Sequence, residues 1–331
     1  MEEGAGKQPI VCLEFFSGIG GLHYGLLASG IDGRVAKSWD MNENANAVYY
    51  HNFNQRPSNK AIDYLTPKDI DRFGADCWSR TMLIEALFGL GFEVVECLLS
   101  PVQLGIPNGR LRYYLAARLR WPDPIRVSNV NSSSGTAADS AHAAWMVENS
   151  ARAGVYLARG RSVVHTEWPF GPTAGAIASA AITRQPLSAY IDPASDHIPS
   201  LAVPEPDILK RRRLGFDIVT STSECTSTFT KAYGSSHLIG SGSLLQTRKL
   251  DTDSRTLESP EELIGLGLRF FSPNEVARLH HFPLDKAGGH SLEFPSSITL
   301  RQRLQLLGNS LNVHVVAQLL EHVLFSSAEW S

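Results

Sequence analysis

The feature that most constrains the fold is an apolar run near the N-terminus that ends in a cluster of glycines. Ile10–Phe16 is almost continuously apolar, Ser17-Gly18-Ile19-Gly20-Gly21 follows it, and Leu22–Ala28 has helical character. This succession predicts a buried strand, a glycine turn and a helix. The turn would place backbone N–H groups and a helix N-terminus at the carboxyl edge of a sheet, where a nucleotide-like ligand can approach the main chain.

The next hundred residues alternate between strand and helix patterns. Helices are predicted at Asn44–Phe53, from Thr66 onward and at Thr81–Phe88. Strands are predicted at Val35–Trp39, Ala61–Leu65, Ala75–Trp78, Phe92–Leu99 and Arg112–Leu119. Strands that alternate with helices indicate an α/β protein with a parallel, doubly wound sheet.

Composition narrows the class of protein. The chain has 331 residues, of which 43% are hydrophobic and 19% charged, as in a globular protein with a sizeable core. Thirty basic and 33 acidic residues give a net charge of -3, so a nucleic-acid partner would need a local basic groove. The four cysteines form no CxxC pair, and neither a disulfide framework nor a metal site is expected.

The chain carries no sign of export or of membrane insertion. Its first residues are acidic where a signal peptide would be basic, and no apolar stretch reaches the length of a membrane span. We therefore expect a reduced, intracellular protein of the cytoplasm or the nucleus, with no membrane partner.

The glycine turn by itself leaves the ligand open. His23 stands where the dinucleotide-binding fingerprint has its third glycine, which weakens a nicotinamide-dependent oxidoreductase interpretation. Asp40, at the end of the second strand, could accept hydrogen bonds from a ribose diol in either class of cofactor. A turn that merely connects strand and helix is the remaining alternative.

Several segments together resemble the cytosine-C5 methyltransferase family. Glu14–His23 is similar to its S-adenosylmethionine loop, Leu99–Tyr113 to its Arg-x-Arg segment, and Arg301–Val313 to its last motif. Two further stretches resemble the eukaryotic tRNA-aspartate cytosine methyltransferases, which are built like DNA methyltransferases. These stretches are Phe229–Gly234, with Gly240–Gln246 after it, and Arg269–Pro283.

The resemblance covers residues 9–120 and 205–325 and implies a fold and a domain plan. The fold would be a Rossmann-like, S-adenosylmethionine-dependent methyltransferase sheet with a small target-recognition domain. The cofactor-binding domain would span 9–126, a low-complexity insert without a match 127–186, the target-recognition region 187–294, and a returning C-terminal helix 295–331. The implied protein is a monomer that methylates C5 of an anticodon-loop cytosine in tRNA, with DNA as the alternative substrate.

The resemblance also implies roles for individual residues. Arg110 and Arg112 would contact the extruded target base, the alternative being surface salt bridges. A basic run with one further lysine would follow the RNA backbone or simply form a solvated face (Lys210, Arg211, Arg212, Arg213, Lys231). The cofactor would be held by ten residues: Phe16, Gly18, Ile19, Gly20, Gly21, Asp40, Ile62, Asp63, Asn309 and Ser310.

The chain departs from the family at the catalytic centre. The family uses a cysteine in a Pro-Cys-Gln motif as nucleophile and a Glu-Asn-Val motif to hold the base, and the chain contains neither motif. Trp78 runs directly into Ser79–Leu83, which resembles the helix after Glu-Asn-Val, so about fifty residues are missing near 78/79, or one and a half strand–helix units. We expect incomplete central strands, with unpaired edges, as a result.

No cysteine of the chain replaces the missing nucleophile. Cys12, Cys77 and Cys97 are expected to be small buried strand residues, and Cys225 lies in a Ser/Thr-rich loop. A splice variant or a faulty gene model would explain both the gap and the unmatched insert. Three hypotheses therefore stay open. The first is a tRNA methyltransferase whose sequence is incompletely represented, and the second is a non-catalytic isoform that binds cofactor or RNA. The third is a Rossmann-type oxidoreductase, which His23 and the C-terminal matches disfavour.

Overall fold

A short parallel sheet organises the N-terminal part of the chain. The computed structural model describes residues 9–60, 77–79, 92–119, 164–165, 184–210, 215–257, 259–285 and 289–325. Strands β1 (Ile10–Phe15), β2 (Gly33–Trp39) and β3 (Cys77–Ser79) pair in the order β2-β1-β3, all parallel. Helices α1 (Gly21–Ala28) and α2 (Glu43–Phe53) lie between them in sequence. The predicted strand, glycine turn and helix are confirmed.

A second sheet follows, and its central pair is antiparallel. Strands β4 (Phe92–Leu99) and β5 (Arg112–Leu119) have the predicted bounds. They pair antiparallel because a single 3-10 turn (Pro101–Leu104), and no crossover helix, begins the connection between them. Strand β6 (Val164–His165) pairs parallel with the other edge of β4, so part of the stretch expected to be a low-complexity insert joins the sheet.

The two sheets meet without forming one continuous ladder. Among the described residues, β3 and β5 approach within 8 Å between Cα atoms, yet neither pairs with the other. The incomplete central strands expected near 78/79 stay a prediction, because the residues on either side of Cys77–Ser79 lie outside the described part of the chain. An edge strand in such a position leaves backbone N–H and C=O groups without ladder partners.

The C-terminal half forms a small third sheet with short helices. Strands β7 (Ile218–Val219), β8 (Leu244–Gln246) and β9 (Leu268–Arg269) pair in that order. The helices here are α3 (Glu205–Leu209), α4 (Pro260–Ile264) and α5 (Pro273–Leu279). Arg269 is buried and donates to both carboxylate oxygens of Glu275, at 2.8 and 2.9 Å, which fastens the sheet to α5.

The last helices return to the first sheet, as the resemblance implies. Helix α6 (Leu300–Gly308) leads into α7 (Val313–Leu319), which continues as one π-helical turn (Leu320–Leu324). Helices α7 and α1 pack so closely that a Cβ at Gly25 would overlap the side chain of Val316. One hydrophobic core joins residues from α1 and α2 to the C-terminal half, including Tyr24 and Phe271. No helix in the described part of the chain is long and apolar enough to cross a membrane.

Candidate cofactor site

A cavity of about 320 Å³ opens at the carboxyl ends of β1 and β2. This is the edge where the glycine turn and the start of α1 lie, as the sequence predicts. Seven of the ten predicted cofactor residues line it: Phe16, Gly18, Ile19, Gly21, Asp40, Asn309 and Ser310. Gly20 faces the ring of Phe53 and does not line the cavity, and Ile62 and Asp63 lie outside the described residues.

In the glycine loop, every second residue from position 16 to position 20 adopts the left-handed conformation. Phe16, Gly18 and Gly20 have φ values of 56°, 54° and 89°. A Cβ at Gly20 would overlap the ring of Phe53, so this position needs glycine for space as well as for conformation. Phe16 adopts the conformation at a cost and leaves 65% of its surface exposed beside the cavity. An exposed, strained aromatic at this place offers a flat apolar surface to a ligand.

Asp40 connects the glycine loop to helix α2. Its Oδ2 accepts a hydrogen bond of 2.8 Å from the N–H of Gly18, and its Oδ1 accepts one of 2.8 Å from the N–H of Asn42. Asn46 donates to the Asp40 carbonyl at 2.9 Å. Each carboxylate oxygen has a second acceptor site, so Asp40 can hold the loop and still accept from a ribose diol.

Sequence reasoning assigned no role to Glu14, which also lines the cavity. The side chain is buried, and its Oε2 accepts a 2.8 Å hydrogen bond from the hydroxyl of Tyr49. That hydroxyl lies 2.8 Å from Nδ1 of His23. Burial raises the pKa of Glu14 to about 8 and lowers the pKa of His23 to about 4. The sequence signal that could have identified Glu14 is an acidic residue within an otherwise apolar strand.

Arg110 occupies a different place from the one that the resemblance implied. Its guanidinium is buried and donates to the carbonyls of Phe229 (2.7 Å), Gly308 (3.0 Å) and Ser310 (2.5 Å). Burial lowers its pKa to about 10, with a further contribution from nearby Arg112. This placement corrects the expectation of a base contact: Arg110 holds the cavity wall that carries Ser310.

Arg112 remains available for the predicted base contact. It is half-buried and donates to the carbonyl of its neighbour Leu111 at 2.8 Å. Among the described residues, no acidic side chain forms an ion pair with it. Its role at the base stays a prediction.

None of the described residues that line the cavity is a cysteine. Cys12 and Cys97 are buried in strands, and burial raises the pKa of the Cys97 thiol to about 12. Cys225 is exposed, but its pKa is also raised, and its thiol donates to the Thr226 carbonyl at 3.4 Å. The Cys97 and Cys225 thiols therefore lack the lowered pKa of an activated nucleophile.

Two of the five predicted RNA-contacting residues, Lys210 and Lys231, lie among the described residues. Lys231 lies on a second cavity of about 400 Å³ that also includes Arg301 and shares Asn42, Leu306 and Asn309 with the cofactor cavity. Lys210 is paired with Asp207 at 3.1 Å on the surface. Arg211, Arg212 and Arg213 lie outside the described residues. Within the described ranges no group of acidic, histidine or cysteine side chains could hold a metal ion.

Comparison with known proteins identifies the family of the chain. No family model matches it. It is 30% identical to the human tRNA (cytosine(38)-C(5))-methyltransferase, over 95% of this chain and 99% of that protein. It is 28% identical to a DNA (cytosine-5)-methyltransferase of Dictyostelium discoideum, with 93% of each chain covered. The fold is similar to the crystal structure of Dnmt2 methyltransferase from Schizosaccharomyces pombe, with a TM-score of 0.66, 25% identity, and 95% and 98% coverage. Identity of this extent across nearly the whole of both proteins shows that the chain belongs to the tRNA (cytosine(38)-C(5))-methyltransferase family.

Proposed function

We propose that the chain binds S-adenosylmethionine in the cavity at the end of β1. When bound, this cofactor supplies a methyl group on a positively charged sulfur. The charge of the cavity carries the proposal: the described lining residues include two carboxyl groups, Glu14 and Asp40, and no lysine, arginine or histidine. Such a lining suits a cationic ligand and disfavours the pyrophosphate of a dinucleotide, which leaves the oxidoreductase interpretation without support.

The cavity contains parts that fit each portion of this cofactor. Asp40 has acceptor capacity for the ribose hydroxyls, while Phe16 presents an exposed ring. Asn309 and Ser310 form the opposite wall, and a Cβ at Gly21 would come within 3.2 Å of Ser310 Oγ. The N–H groups of the loop and the start of α1 supply donors for a carboxylate.

The proposed substrate is tRNA, methylated at C5 of a cytosine. Human and other relatives carry this activity in their names, and the Dictyostelium relative supplies the DNA alternative. The cavity that carries Lys231 and Arg301 adjoins the cofactor cavity, so cationic groups lie where a polynucleotide backbone could pass. We propose a monomer that acts where tRNA is processed, in the cytoplasm, the nucleus or both.

The chemical step needs a nucleophile, and this chain lacks the motif that supplies one in the family. C5 of cytosine becomes nucleophilic only after a nucleophile adds to C6, and the chain contains no Pro-Cys-Gln motif. Because no described lining residue is a cysteine, a second candidate function stands beside the first. In that function the chain is a non-catalytic isoform that binds cofactor or tRNA.

One experiment separates the two functions. Purified chain is titrated with S-adenosylmethionine by calorimetry, and is separately incubated with tRNA and methyl-labelled cofactor, with DNA as a parallel substrate. Cofactor binding with 5-methylcytosine in digested tRNA supports the enzyme, and binding without transfer supports the isoform. Absence of any binding heat contradicts the cofactor proposal. A peptide spectrum across Trp78–Ser79 confirms that the tested protein has this junction.

A further inference from the structure

A further cavity, of about 650 Å³, lies at the opposite end of helix α1 from the glycine loop. Leu27 and Ala28, the last residues of that helix, form one side, and the segment that follows α5 forms the other. No described residue lines both this α5 cavity and the cofactor cavity. Its volume lies within the range of about 300 to 1,000 Å³ that is usual for small-molecule sites.

His281 lines the α5 cavity in a backbone conformation that costs it free energy. Helix α5 ends at Leu279, and His281 follows with a φ of 58°, in the left-handed region. Its N–H donates to the carbonyl of Arg278 at 2.9 Å and closes the last turn of the helix. Glycine is the usual residue at this position. A histidine that is held there at a cost, with its side chain exposed at a cavity, indicates that the imidazole has a use.

The imidazole of His281 lies in a row of three rings. Its centroid is 6.3 Å from the ring of Tyr190, with 72° between the two planes. On the other side it is 5.1 Å from the ring of His314, with 32° between the planes. Tyr190 and His314 are half-buried, so the exposed member of the row is His281. Partly exposed rings of this kind are surfaces on which a nucleic-acid base can stack.

Arg278 gives the α5 cavity a positive charge. Its Nη1 donates to the carbonyl of Tyr190 at 3.2 Å, the one hydrogen bond of this guanidinium to another described residue. Within the described ranges, no acidic side chain forms an ion pair with it. A guanidinium has five N–H donors, and its planar fork matches the oxygens of a phosphate. An anionic group of a ligand therefore has a partner beside the row of rings.

We propose that the α5 cavity binds a nucleoside monophosphate, either free or as one nucleotide of an RNA. The base stacks on the imidazole of His281 beside Tyr190, and the phosphate pairs with the guanidinium of Arg278. Asp285, which also lines the cavity, accepts hydrogen bonds from the ribose hydroxyls. A nucleoside would leave Arg278 without its anion, and inorganic phosphate would leave the rings uncovered.

Calorimetric titration of the full chain with AMP tests the proposal, with adenosine and inorganic phosphate as separate probes. We expect saturable binding of one AMP per chain, about tenfold or more tighter than that of either probe, because only AMP engages both the rings and the cation. No saturable binding of AMP, GMP, CMP or UMP overturns the proposal. Equal affinity for AMP and adenosine also overturns it, because Arg278 would then take no part.

His281→Gly separates a binding role from a structural one. Glycine relieves the left-handed strain, so the midpoint of urea unfolding should rise, while affinity for AMP should fall about tenfold. Asn54→Gly is the matched control, since Asn54 is exposed, follows helix α2 with a φ of 50° and lies away from the α5 cavity. It should leave AMP affinity unchanged. A rise in stability at His281→Gly with unchanged AMP affinity overturns the proposal.

Arg278→Gln tests the phosphate contact. Glutamine removes the charge and keeps an N–H donor for the carbonyl of Tyr190. Affinity for AMP should fall to that for adenosine, and affinity for adenosine should stay as it is in the unaltered chain. An AMP affinity that does not change in this variant overturns the proposal.

Competition experiments locate the nucleotide and identify its source. S-adenosylmethionine contains an adenosine, so it is added in excess to the chain with bound AMP. We expect AMP to stay bound, and its displacement would assign AMP to the cofactor cavity and overturn the proposal. A parallel titration with tRNA distinguishes the two sources of the ligand. Displacement of AMP by tRNA identifies a nucleotide of the RNA as the ligand, and simultaneous binding of both identifies the free nucleotide.

Discussion

The guanidinium of Arg110 donates a hydrogen bond of 2.5 Å to the carbonyl of Ser310, 200 positions later in the chain. The same group reaches the carbonyls of Gly308 and Phe229. Three segments that are remote in sequence thus meet at one buried cation. This contact holds the C-terminal wall of the cofactor cavity against the start of β5.

Replacing Arg110 should therefore weaken the fold as well as cofactor binding. Arg110→Lys keeps a charge but cannot reach three carbonyls, so buried acceptors lose their donors. We expect the free energy of unfolding in urea to fall by about 2 to 4 kcal/mol. Arg112 donates only to the carbonyl of the adjacent Leu111 among the described residues, so Arg112→Lys should change the free energy of unfolding little. Equal stability of the two variants would contradict the structural role of Arg110.

Gly20, in the glycine loop, and Gly30, after helix α1, form a matched pair of positions for substitution. Both have positive φ, 89° and 70°, but only at Gly20 would a Cβ overlap a neighbour, Phe53. Gly30→Ala should cost about 1 kcal/mol from backbone strain alone, and Gly20→Ala about 2 to 3 kcal/mol. Chemical unfolding measures both. A smaller loss at Gly20 would show that the loop shifts without cost.

Asp40→Asn should reduce cofactor affinity more than stability. An asparagine has only one acceptor oxygen. It can keep the hydrogen bond from the N–H of Gly18 or the one from the N–H of Asn42, but it cannot keep both and also accept from a ribose diol. We expect affinity for S-adenosylmethionine to fall at least tenfold by calorimetry, or about 1.4 kcal/mol. Asp32→Asn, at an exposed site, is the control. Unchanged affinity would place the ribose elsewhere.

Glu14 should make the folded protein less stable as pH rises. Its pKa is raised from 4.5 to about 8 on folding, so the folded state binds the extra proton. This contribution is fully present below pH 4.5 and is lost as pH rises to about 8. Relative to the unaltered chain, Glu14→Gln should therefore gain up to about 1.4 kcal/mol per pH unit between pH 5 and pH 7.5. Urea unfolding at several pH values measures this; a constant difference would mean that Glu14 does not titrate on folding.

Local sequence patterns predicted much of the sheet and of the cofactor loop. Phe92–Leu99 and Arg112–Leu119 have the expected bounds because apolar runs and their breaks are properties of adjacent residues. The position of Asp40 at the end of β2 followed in the same way. The antiparallel pairing of β4 with β5 did not, because it depends on how the chain turns between them.

The sequence by itself determined the strand, glycine turn and helix at the N-terminus, because an apolar run and glycines that accept positive φ are properties of adjacent residues. It also determined that no Pro-Cys-Gln segment is present. Only the tertiary structure decided that Arg110 faces carbonyls and that Glu14 accepts a hydrogen bond from the hydroxyl of Tyr49. A side chain's partners come from distant segments, and the burial that sets its charge depends on all of them together.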